Sequence, residues 1–471
     1  MNLDNPVKAA GSARITIPVV GATVATAVSL YLLLCPPAPL SPVQSRAAAI
    51  SLFAVGFWAT EVIPSHVTVF LFFLSAIFLS IAPPEVVFSG FESTAIWLIF
   101  GGLVLGVAMR NSGLAARIAG TIAAGLEYRG YYAIIGGVVM LGMVLGFIMP
   151  SAIGRLVLLI PIAMGFSKRC GFQVGSRGRT AIILAATFGA TLPAIAILPS
   201  NLPNMILAGT AETLYRIPIL YGEYLLLHYP VLGIVKAVCI ILVIVWLYPD
   251  APRFRRHTEE KANPLSPDEG KLCVVLTLLL ALWMTDFLHH ISPAWVTLSA
   301  AVILLLPRFG VVTARQFNED INYESFFFVA GVLGLGAVVS HTGLGDYLAR
   351  SLITLLPLEP GHGVTNYVSL VLTSMATGIA TTAPGVPVVM SPLAQDMALA
   401  AGLPVKTVLM SQVLGYATIV FPYQAPPLVV GMQLAGEKAE GAIKLCLVLT
   451  CLSFCLLLPI NYLWWRVLGW I

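Results

Sequence analysis

Long apolar runs separated by short polar stretches occupy most of the chain. About 20 apolar helical residues cross the hydrocarbon core of a bilayer. The pattern therefore predicts an all-α, polytopic membrane protein with about eleven transmembrane helices. The runs that carry this prediction lie at roughly 15–35, 48–63, 65–82, 94–110, 180–200, 224–248, 271–290, 294–307, 324–340, 407–423 and 444–464.

Two further apolar runs, at 131–166 and 364–394, are interrupted near their middle by Pro, Gly, Ser and Thr. Backbone groups at membrane depth must be hydrogen-bonded within their own segment unless protein or a cavity surrounds them. An interrupted apolar run therefore indicates a place that protein encloses. We predict that both runs are re-entrant hairpins.

Composition supports a membrane protein and argues against several other classes. Hydrophobic residues make up 58% of the 471 residues, and charged residues only 10%. The net charge of +4 rests on few ionised side chains, so it does not describe a nucleic-acid-binding surface. The chain has no HExxH, GxSxG or phosphate-loop pattern, and its seven cysteines lack metal-ligand spacing. We expect no enzyme, no cofactor and no confident metal site.

Basic residues flank the first interrupted run on both sides, with three arginines between 110 and 129 and four basic residues between 168 and 179. Short loops rich in Lys and Arg stay cytoplasmic. The first hairpin should therefore open from the cytoplasm. The second, flanked by Arg350 and Lys406 alone, should open from outside. We predict a cytoplasmic N-terminus and a protein of the cell's inner membrane.

An internal repeat relates the two halves of the chain. The stretch GGLVLGVAMRNSGL (Gly101–Leu114) aligns without a gap on GVLGLGAVVSHTGL (Gly331–Leu344). If each half crosses the membrane an odd number of times, the repeats are inverted, which together with broken helices is typical of secondary transporters. The predicted parts are an N-terminal segment with the first helix over 1–45, repeats over 46–248 and 272–471, and a polar cytoplasmic linker over 249–271.

Proline and glycine interrupt the apolar pattern at four places, two in each repeat. The hairpins break at PSAIGR and TGIATTAPGVP, and two spans break within TLPAIAILPSNLPNMILAG and YATIVFPYQAPPLVVG. Each half-helix that restarts after a break presents N–H groups and partial positive charge, which favour an anion. Neutral contacts could come from Asn201 and Asn204 in one half and from Thr381 and Thr382 in the other. Helix capping is the alternative role for the asparagines, and packing kinks for the breaks.

The first break also contains Arg155, between two apolar runs. A charge at membrane depth costs about 2.5 to 3.5 kcal/mol on insertion scales, so it should face a cavity or a partner. Arg155 could bind the substrate anion through bidentate hydrogen bonds, or replace a coupling cation and make transport sodium-independent. The third hypothesis is a structural ion pair with Glu61, Glu92 or Asp286. Lys236 lies in another apolar span, where we expect its stem to snorkel toward an interface.

Several stretches resemble the divalent anion:sodium symporters, a family that carries dicarboxylates, citrate or sulfate. TEVIPSHVT (Thr60–Thr68) is similar to a signature of that family, as are IWLIFGGLVLGVAMRNSGLAARI (Ile96–Ile118) and SNLPNMILAG (Ser200–Gly209). The resemblance covers nearly the whole chain. It implies eleven spans with two hairpins, a homodimer, and an elevator movement of a transport domain against a scaffold.

The chain departs from this family at its hairpin tips, where the resemblance implies Ser-Asn-Thr motifs that bind substrate and help to coordinate sodium. Counting back from the following prolines puts these motifs at 151–153 and 382–384, where this sequence reads Ser-Ala-Ile and Thr-Ala-Pro. One hydroxyl remains in each. The resemblance therefore implies Ser151 and Thr382 as substrate contacts, with Asn204 as a further one. It leaves sodium near Ser151 and Thr382 open as a coupling ion.

We therefore predict a secondary active transporter of small anions, of the di- or tricarboxylate or sulfate class, with an elevator mechanism. Sodium-independent transport and exchange remain open. One alternative is a cation/proton antiporter of the same superfamily, which would need a buried carboxylate at the breaks. Another is an anion channel, for which a continuous polar pore would be typical.

Overall fold

The computed structural model describes residues 17–126, 129–254 and 264–471. Its regular structure is helical throughout these ranges, without a strand, which confirms the predicted all-α class. The basic residues near the N-terminus and the centre of the predicted linker, 255–263, lie outside the described residues.

The α-helices of the described residues form two groups, one before and one after the linker. Those before it are α1 (Ile17–Leu34), α2 (Pro42–Thr60), α3 (Ser65–Phe78), α4 (Pro84–Val87), α5 (Thr94–Ser112), α6 (Leu114–Gly125), α7 (Tyr131–Ile148), α8 (Ala152–Arg169), α9 (Arg177–Thr191), α10 (Leu202–Tyr215), α11 (Tyr221–His228) and α12 (Lys236–Leu247). Those after it are α13 (Pro267–Met284), α14 (Asp286–His289), α15 (Pro293–Leu305), α16 (Ala314–Asp320), α17 (Tyr323–His341), α18 (Leu344–Ile353), α19 (Gly363–Ala380), α20 (Gly385–Met390), α21 (Ala394–Ala401), α22 (Val405–Ala417), α23 (Pro426–Ala435), α24 (Ala439–Leu452) and α25 (Leu458–Val467).

Six helices of the described residues are long and apolar enough to cross a membrane. The number becomes seven if α20 to α22, bent by 118° at a short break, count as one span. Shorter apolar helices such as α3 and α15 fall below the spanning length. These helices support a multi-pass membrane protein, while the predicted count of about eleven spans stays a prediction.

The internal repeat is visible in local structure. The helices α5 and α17 both contain 19 residues and each is followed at once by a short helix, α6 or α18. The aligned glycines between them, Gly113 and Gly343, both adopt the left-handed backbone, with φ of 84° and 69°. Glycine has no Cβ and adopts this backbone without strain. The two halves thus share a helix–glycine–helix unit; their inversion in the membrane stays a prediction.

The structure has helix breaks at all four places that the sequence indicated. Residues 149–151 separate α7 from α8, 192–201 separate α9 from α10, 381–384 separate α19 from α20, and 418–425 separate α22 from α23. Each interruption contains at least one proline, which lacks the N–H that would continue the helical hydrogen bonds. Short 3-10 turns fill parts of the two longer breaks.

A π-helical turn, Tyr229–Val235, joins α11 to α12, so that one apolar helix runs from Tyr221 to Leu247. Lys236 is the first residue after this turn. A π turn inserts an extra residue into an α-helix and is frequent at functional sites.

Buried apolar side chains form two separate clusters. The larger cluster takes residues from α7, α8 and α9 of the first half and from α19 and α22 of the second. The smaller one takes residues from α2, α3, α5 and α17. The hairpins and broken helices therefore contribute mainly to the larger cluster, while α10 and α20 also pack against α17 in the smaller one.

Candidate functional site

A cavity of about 540 Å³ lies where the four breaks face the turn between α2 and α3. Ile153 and Leu202 line it from the first half, and Thr382 and Pro426 from the second, so that every break contributes. The opposite wall is formed by residues between 55 and 65, together with the start of α17. The four interruptions thus converge on one partly open cavity.

Helix N-termini from the first half reach this cavity. Leu202 is the first residue of α10, and Ile153 lies in the first turn of α8. First-turn N–H groups have no acceptor within their own helix and carry partial positive charge. In the second half, α23 starts with Pro426 and Pro427, which have no N–H. The start of α20 also lines the cavity, but the Gly385 N–H already donates to the Thr382 carbonyl. The backbone donors available to an anion therefore come chiefly from α8 and α10, where Pro203 has no N–H.

The tip of the second hairpin presents two threonines to the cavity, Thr381 and Thr382, as predicted substrate contacts. The Thr381 hydroxyl already donates to the carbonyl of Thr377, at 2.7 Å. Among the described residues, the hydroxyl of Thr382 has no hydrogen-bond partner. The tip is held in place by the Ala383 N–H, which donates to the Gln424 carbonyl at 2.8 Å. Thr382 is thus the hydroxyl of this tip that is available to a ligand.

Arg155 is completely buried and does not line the cavity. Its Nε donates to the Ala190 carbonyl at 3.0 Å, and its Nη1 donates to the carbonyls of Met149 and Ser200 and to the Ser200 hydroxyl. Its Nη2 is buried without a hydrogen-bond partner in the described part of the chain. The guanidinium therefore joins the end of α7, the end of α9 and the segment that precedes α10.

The three predicted ion-pair partners of Arg155 lie elsewhere. Asp286 is buried and accepts hydrogen bonds from the backbone N–H groups of Tyr221 and Gly222, at the start of α11. Glu61 lines the cavity and Glu92 is exposed. Within the described ranges no carboxylate lies at ion-pair distance from Arg155, so the ion-pair hypothesis is wrong for this structure. The positive charge is surrounded by neutral oxygen atoms.

The predicted substrate contacts of the first half are placed beside the cavity lining. Ser151 caps α8, where its hydroxyl accepts a hydrogen bond from the Gly154 N–H at 3.1 Å. Asn201 precedes α10 and is 6% exposed, and its Nδ2 has no hydrogen-bond partner in the described residues. Asn204 is fully buried and donates to the carbonyls of Ile195 and Ile197. Their roles as substrate contacts stay predictions.

A buried tyrosine, Tyr416, connects the two broken helices and was not singled out from the sequence. Its hydroxyl donates to Oδ1 of Asn204 at 2.9 Å. Nearby, the hydroxyl of Tyr224 donates to the Ile195 carbonyl at 3.0 Å. These bonds tie α22 to α10, and α11 to the segment between α9 and α10. Asn204 thus has a structural task in addition to its predicted role.

Lys236 is 1% exposed, so the expected snorkelling to an interface is wrong. Its Nζ donates to the carbonyl of Ala417, the last residue of α22. The sequence carried a usable signal for this burial. Lys236 lies eleven residues before the end of the continuous helix at Leu247. At 1.5 Å per residue the nearer helix end is roughly 16 Å away, beyond the reach of a lysine stem.

Two carboxylates, Glu61 and Glu324, stand in the cavity wall opposite the breaks, and its lining contains no Lys or Arg. Glu324 accepts a hydrogen bond from the Ser65 N–H at 2.9 Å and lies 3.5 Å from Nδ1 of His66. An anion in this cavity is therefore attracted by helix termini on one side and repelled by carboxylates on the other. The electrostatic balance favours a position close to the breaks.

Comparison with known proteins gives a consistent family assignment. The citrate transporter family matches residues 55–419. A sodium-dependent dicarboxylate transporter of Staphylococcus saprophyticus is 22% identical over 366 residues, covering 70% of this chain and 69% of its own. A protein of Cupriavidus necator, named membrane protein, is 24% identical and covers 96% of this chain and 93% of its own.

Among solved structures, the YdaH transporter of Alcanivorax borkumensis, described as having an unusual topology, has a similar fold. The TM-score is 0.54 at 13% sequence identity, over 91% of this chain and 99% of the other. The helical architecture of the two chains is therefore shared, while their sequences have diverged.

Proposed function

Because the chain belongs to the citrate transporter family, and with it to the divalent anion:sodium symporters, we propose that it binds a small di- or tricarboxylate in the cavity between its four helix breaks. It is a secondary transporter of the citrate and dicarboxylate type, a carrier rather than an enzyme.

The observation that carries this proposal is the convergence of all four breaks on one cavity of about 540 Å³. The N-termini of α8 and α10 favour negative charge there. The free hydroxyl of Thr382 adds a donor from the opposite hairpin. A substrate with two carboxylates could place one group at each hairpin tip, whereas a small monoanion would leave one tip unpaired.

Uptake into proteoliposomes tests the proposal. Radiolabelled citrate, succinate and sulfate are offered in parallel, with empty liposomes as the background. We expect saturable uptake of at least one carboxylate, accelerated when the same anion is loaded inside. Acceleration by internal substrate identifies a carrier, whereas unsaturating flux without it identifies a channel. Uptake of sulfate alone, or of none of the three anions, contradicts the proposed substrate class.

For the transport cycle we propose an elevator movement. Both hairpins and the broken helices would be the moving transport domain, and α2, α3 and α17 would belong to the scaffold. The cavity supports this division, because the residues between 55 and 65 and the start of α17 line it opposite the hairpin tips. Cysteine pairs across this boundary should cross-link in one state and block transport reversibly.

We also propose the homodimer that the family resemblance implies. The mass of the purified protein in detergent, after subtraction of the bound detergent, tests it.

A further inference from the structure

Two buried side-chain cations, Arg155 and Lys236, end at equivalent places in the two halves. Each half contains a broken helix that follows its hairpin, α9 in the first half and α22 in the second. The last turn of such a helix leaves carbonyl groups without intrahelical donors, and these carry partial negative charge. Arg155 donates to the Ala190 carbonyl at the end of α9, and Lys236 to the Ala417 carbonyl at the end of α22.

Unwound carbonyls and half-helix C-termini are the groups with which secondary transporters coordinate coupling cations. In this chain the carbonyl oxygens at the first break are already bonded to the guanidinium of Arg155. Resting on the anion transport proposed above, we infer that Arg155 and Lys236 are built-in cations that occupy both coupling positions, so that the carrier moves its anion without sodium.

The ligands of Arg155 support a role as a cation rather than as half of an ion pair. They are three backbone carbonyls and one hydroxyl, all neutral, and the group is fully buried. Such a shell leaves the positive charge uncancelled. Ile153 and Leu202, each two residues from a member of this cluster, line the cavity. The charge therefore stands directly behind the helix termini that face the anion.

Both cations come from the first half of the chain, at positions that the repeat does not relate. Arg155 belongs to α8, the returning helix of the first hairpin. Lys236 belongs to α12, also in the first half, yet it caps a helix of the second half, 181 residues further along the chain. Duplication of one half does not produce this arrangement. The breaks after α9 and after α22 thus each have their own cation.

A sodium ion at the carbonyls around Arg155, or at the Ala417 carbonyl, would lie next to a fixed positive charge. At a separation of about 4 Å and an effective dielectric constant of about 20, the repulsion weakens sodium binding by roughly a thousandfold. The same fixed charges attract the substrate anion in every step of the cycle. Attraction of the anion would then be independent of the external sodium concentration.

Thermal unfolding of the purified full-length protein tests sodium binding without reference to transport. The midpoint is measured in sodium chloride and in an equal concentration of N-methyl-D-glucamine chloride. For the wild type we expect the same midpoint in both salts. A bound sodium ion at saturating concentration raises the midpoint by several degrees, so a sodium-specific increase of that size in the wild type overturns the inference.

Variants show whether the cations block sodium sites. Arg155→Ala exposes the three carbonyls of the first break and Lys236→Ala exposes the Ala417 carbonyl of the second, and each variant should acquire a sodium-specific increase that the wild type lacks. Arg155→Lys keeps the charge and should stay insensitive. Lys168→Ala and Lys444→Ala remove exposed cations from the adjoining helices α8 and α24 and serve as matched controls. If Arg155→Ala does not fold, Lys236→Ala and the wild type still decide the result.

Uptake measurements separate this inference from the proposed function. Replacement of external sodium by N-methyl-D-glucamine should change the initial rate of carboxylate uptake by less than about twofold. A tenfold loss overturns the inference and leaves the proposed transport intact. Absence of uptake in both salts overturns the proposed function, while the unfolding midpoints still decide whether the protein binds sodium.

Discussion

The two hairpin tips of this protein differ in their charge and in their access to the cavity. The first tip, before α8, contains a full positive charge that is sealed from the cavity by backbone carbonyls. The second tip, before α20, has no charge, but its Thr382 hydroxyl faces the cavity without a partner in the described structure. The first tip has charge without access, and the second has access without charge.

This difference indicates that the two tips act on the substrate by different interactions. A sealed cation acts on the substrate through its field, which reaches through protein of low dielectric constant. An exposed hydroxyl acts by direct contact and can distinguish ligands by their geometry. Substitutions at the first tip should therefore change stability and the electrostatics of binding together. Substitutions at the second tip should change binding alone.

Removal of the sealed cation should have the largest effect. Arg155→Ala leaves the carbonyls of Met149, Ala190 and Ser200 without their donor in a buried place, at a cost of about 3 kcal/mol in the free energy of unfolding. Substrate uptake should fall by more than tenfold. Arg155→Lys should recover part of both. Chemical denaturation in detergent and initial uptake rates measure the two effects; an unaltered free energy of unfolding would contradict the described bonding.

Removal of the Ser200 hydroxyl, which lies beside this cation, should have the second largest effect. Ser200 Oγ accepts from Arg155 at 2.9 Å and donates to the Gly146 carbonyl at 2.9 Å. Ser200→Ala should lower the free energy of unfolding by about 1 to 3 kcal/mol. Ser167→Ala on α8 is the matched control, because that buried hydroxyl has no partner among the described residues. Equal losses in both variants would show that the Ser200 bonds contribute nothing specific.

The open tip should respond in binding and not in stability. Thr382→Val removes the available hydroxyl and keeps the side-chain shape, so KM for the carboxylate should rise by about tenfold, equivalent to about 1.4 kcal/mol. Thr381→Val is the comparison, since that hydroxyl is already bonded to Thr377. Its KM should change less. The same KM increase in both variants would contradict the conclusion that only the Thr382 hydroxyl is available to the substrate.

The smallest expected effect concerns the carboxylate opposite the tips. Glu61→Gln removes one repulsive charge from the cavity lining, so the apparent affinity for a dianion should rise by about two- to fivefold at low ionic strength. The gain should shrink as salt is added. Glu85→Gln, at an exposed position outside the cavity lining, is the control. A lower affinity in Glu61→Gln would mean that Glu61 takes part in binding.

The four breaks were predictable because their cause is local. Proline and glycine act on the backbone within a few residues, so PSAIGR and the three other motifs mark their own interruptions. The all-helical class follows equally directly from the apolar runs. The number of spans does not, because helices such as α3 and α15 are shorter in the structure than the runs around them. Run length alone cannot tell a short helix from a complete crossing.

The surroundings of the two buried cations could not be predicted. The partners of Arg155 at Ala190 and Ser200 lie 35 and 45 residues away, and they are backbone carbonyls, which every residue possesses. No pattern of residue types distinguishes such acceptors. The sequence could place Arg155 at a break and list carboxylates as candidate partners. Only tertiary packing selects neutral oxygens in their place.

The π-helical turn before Lys236 has a consequence for the rotational register of the whole helix. One residue more or less turns everything after it by about 100° around the helix axis. If Tyr229–Val235 became a regular α-helix with its sequence unchanged, Lys236 would rotate by about this angle and its ammonium group would move away from Ala417, towards a neighbouring helix or the lipid. The position of this charge thus depends on a helical insertion that carries no charge of its own.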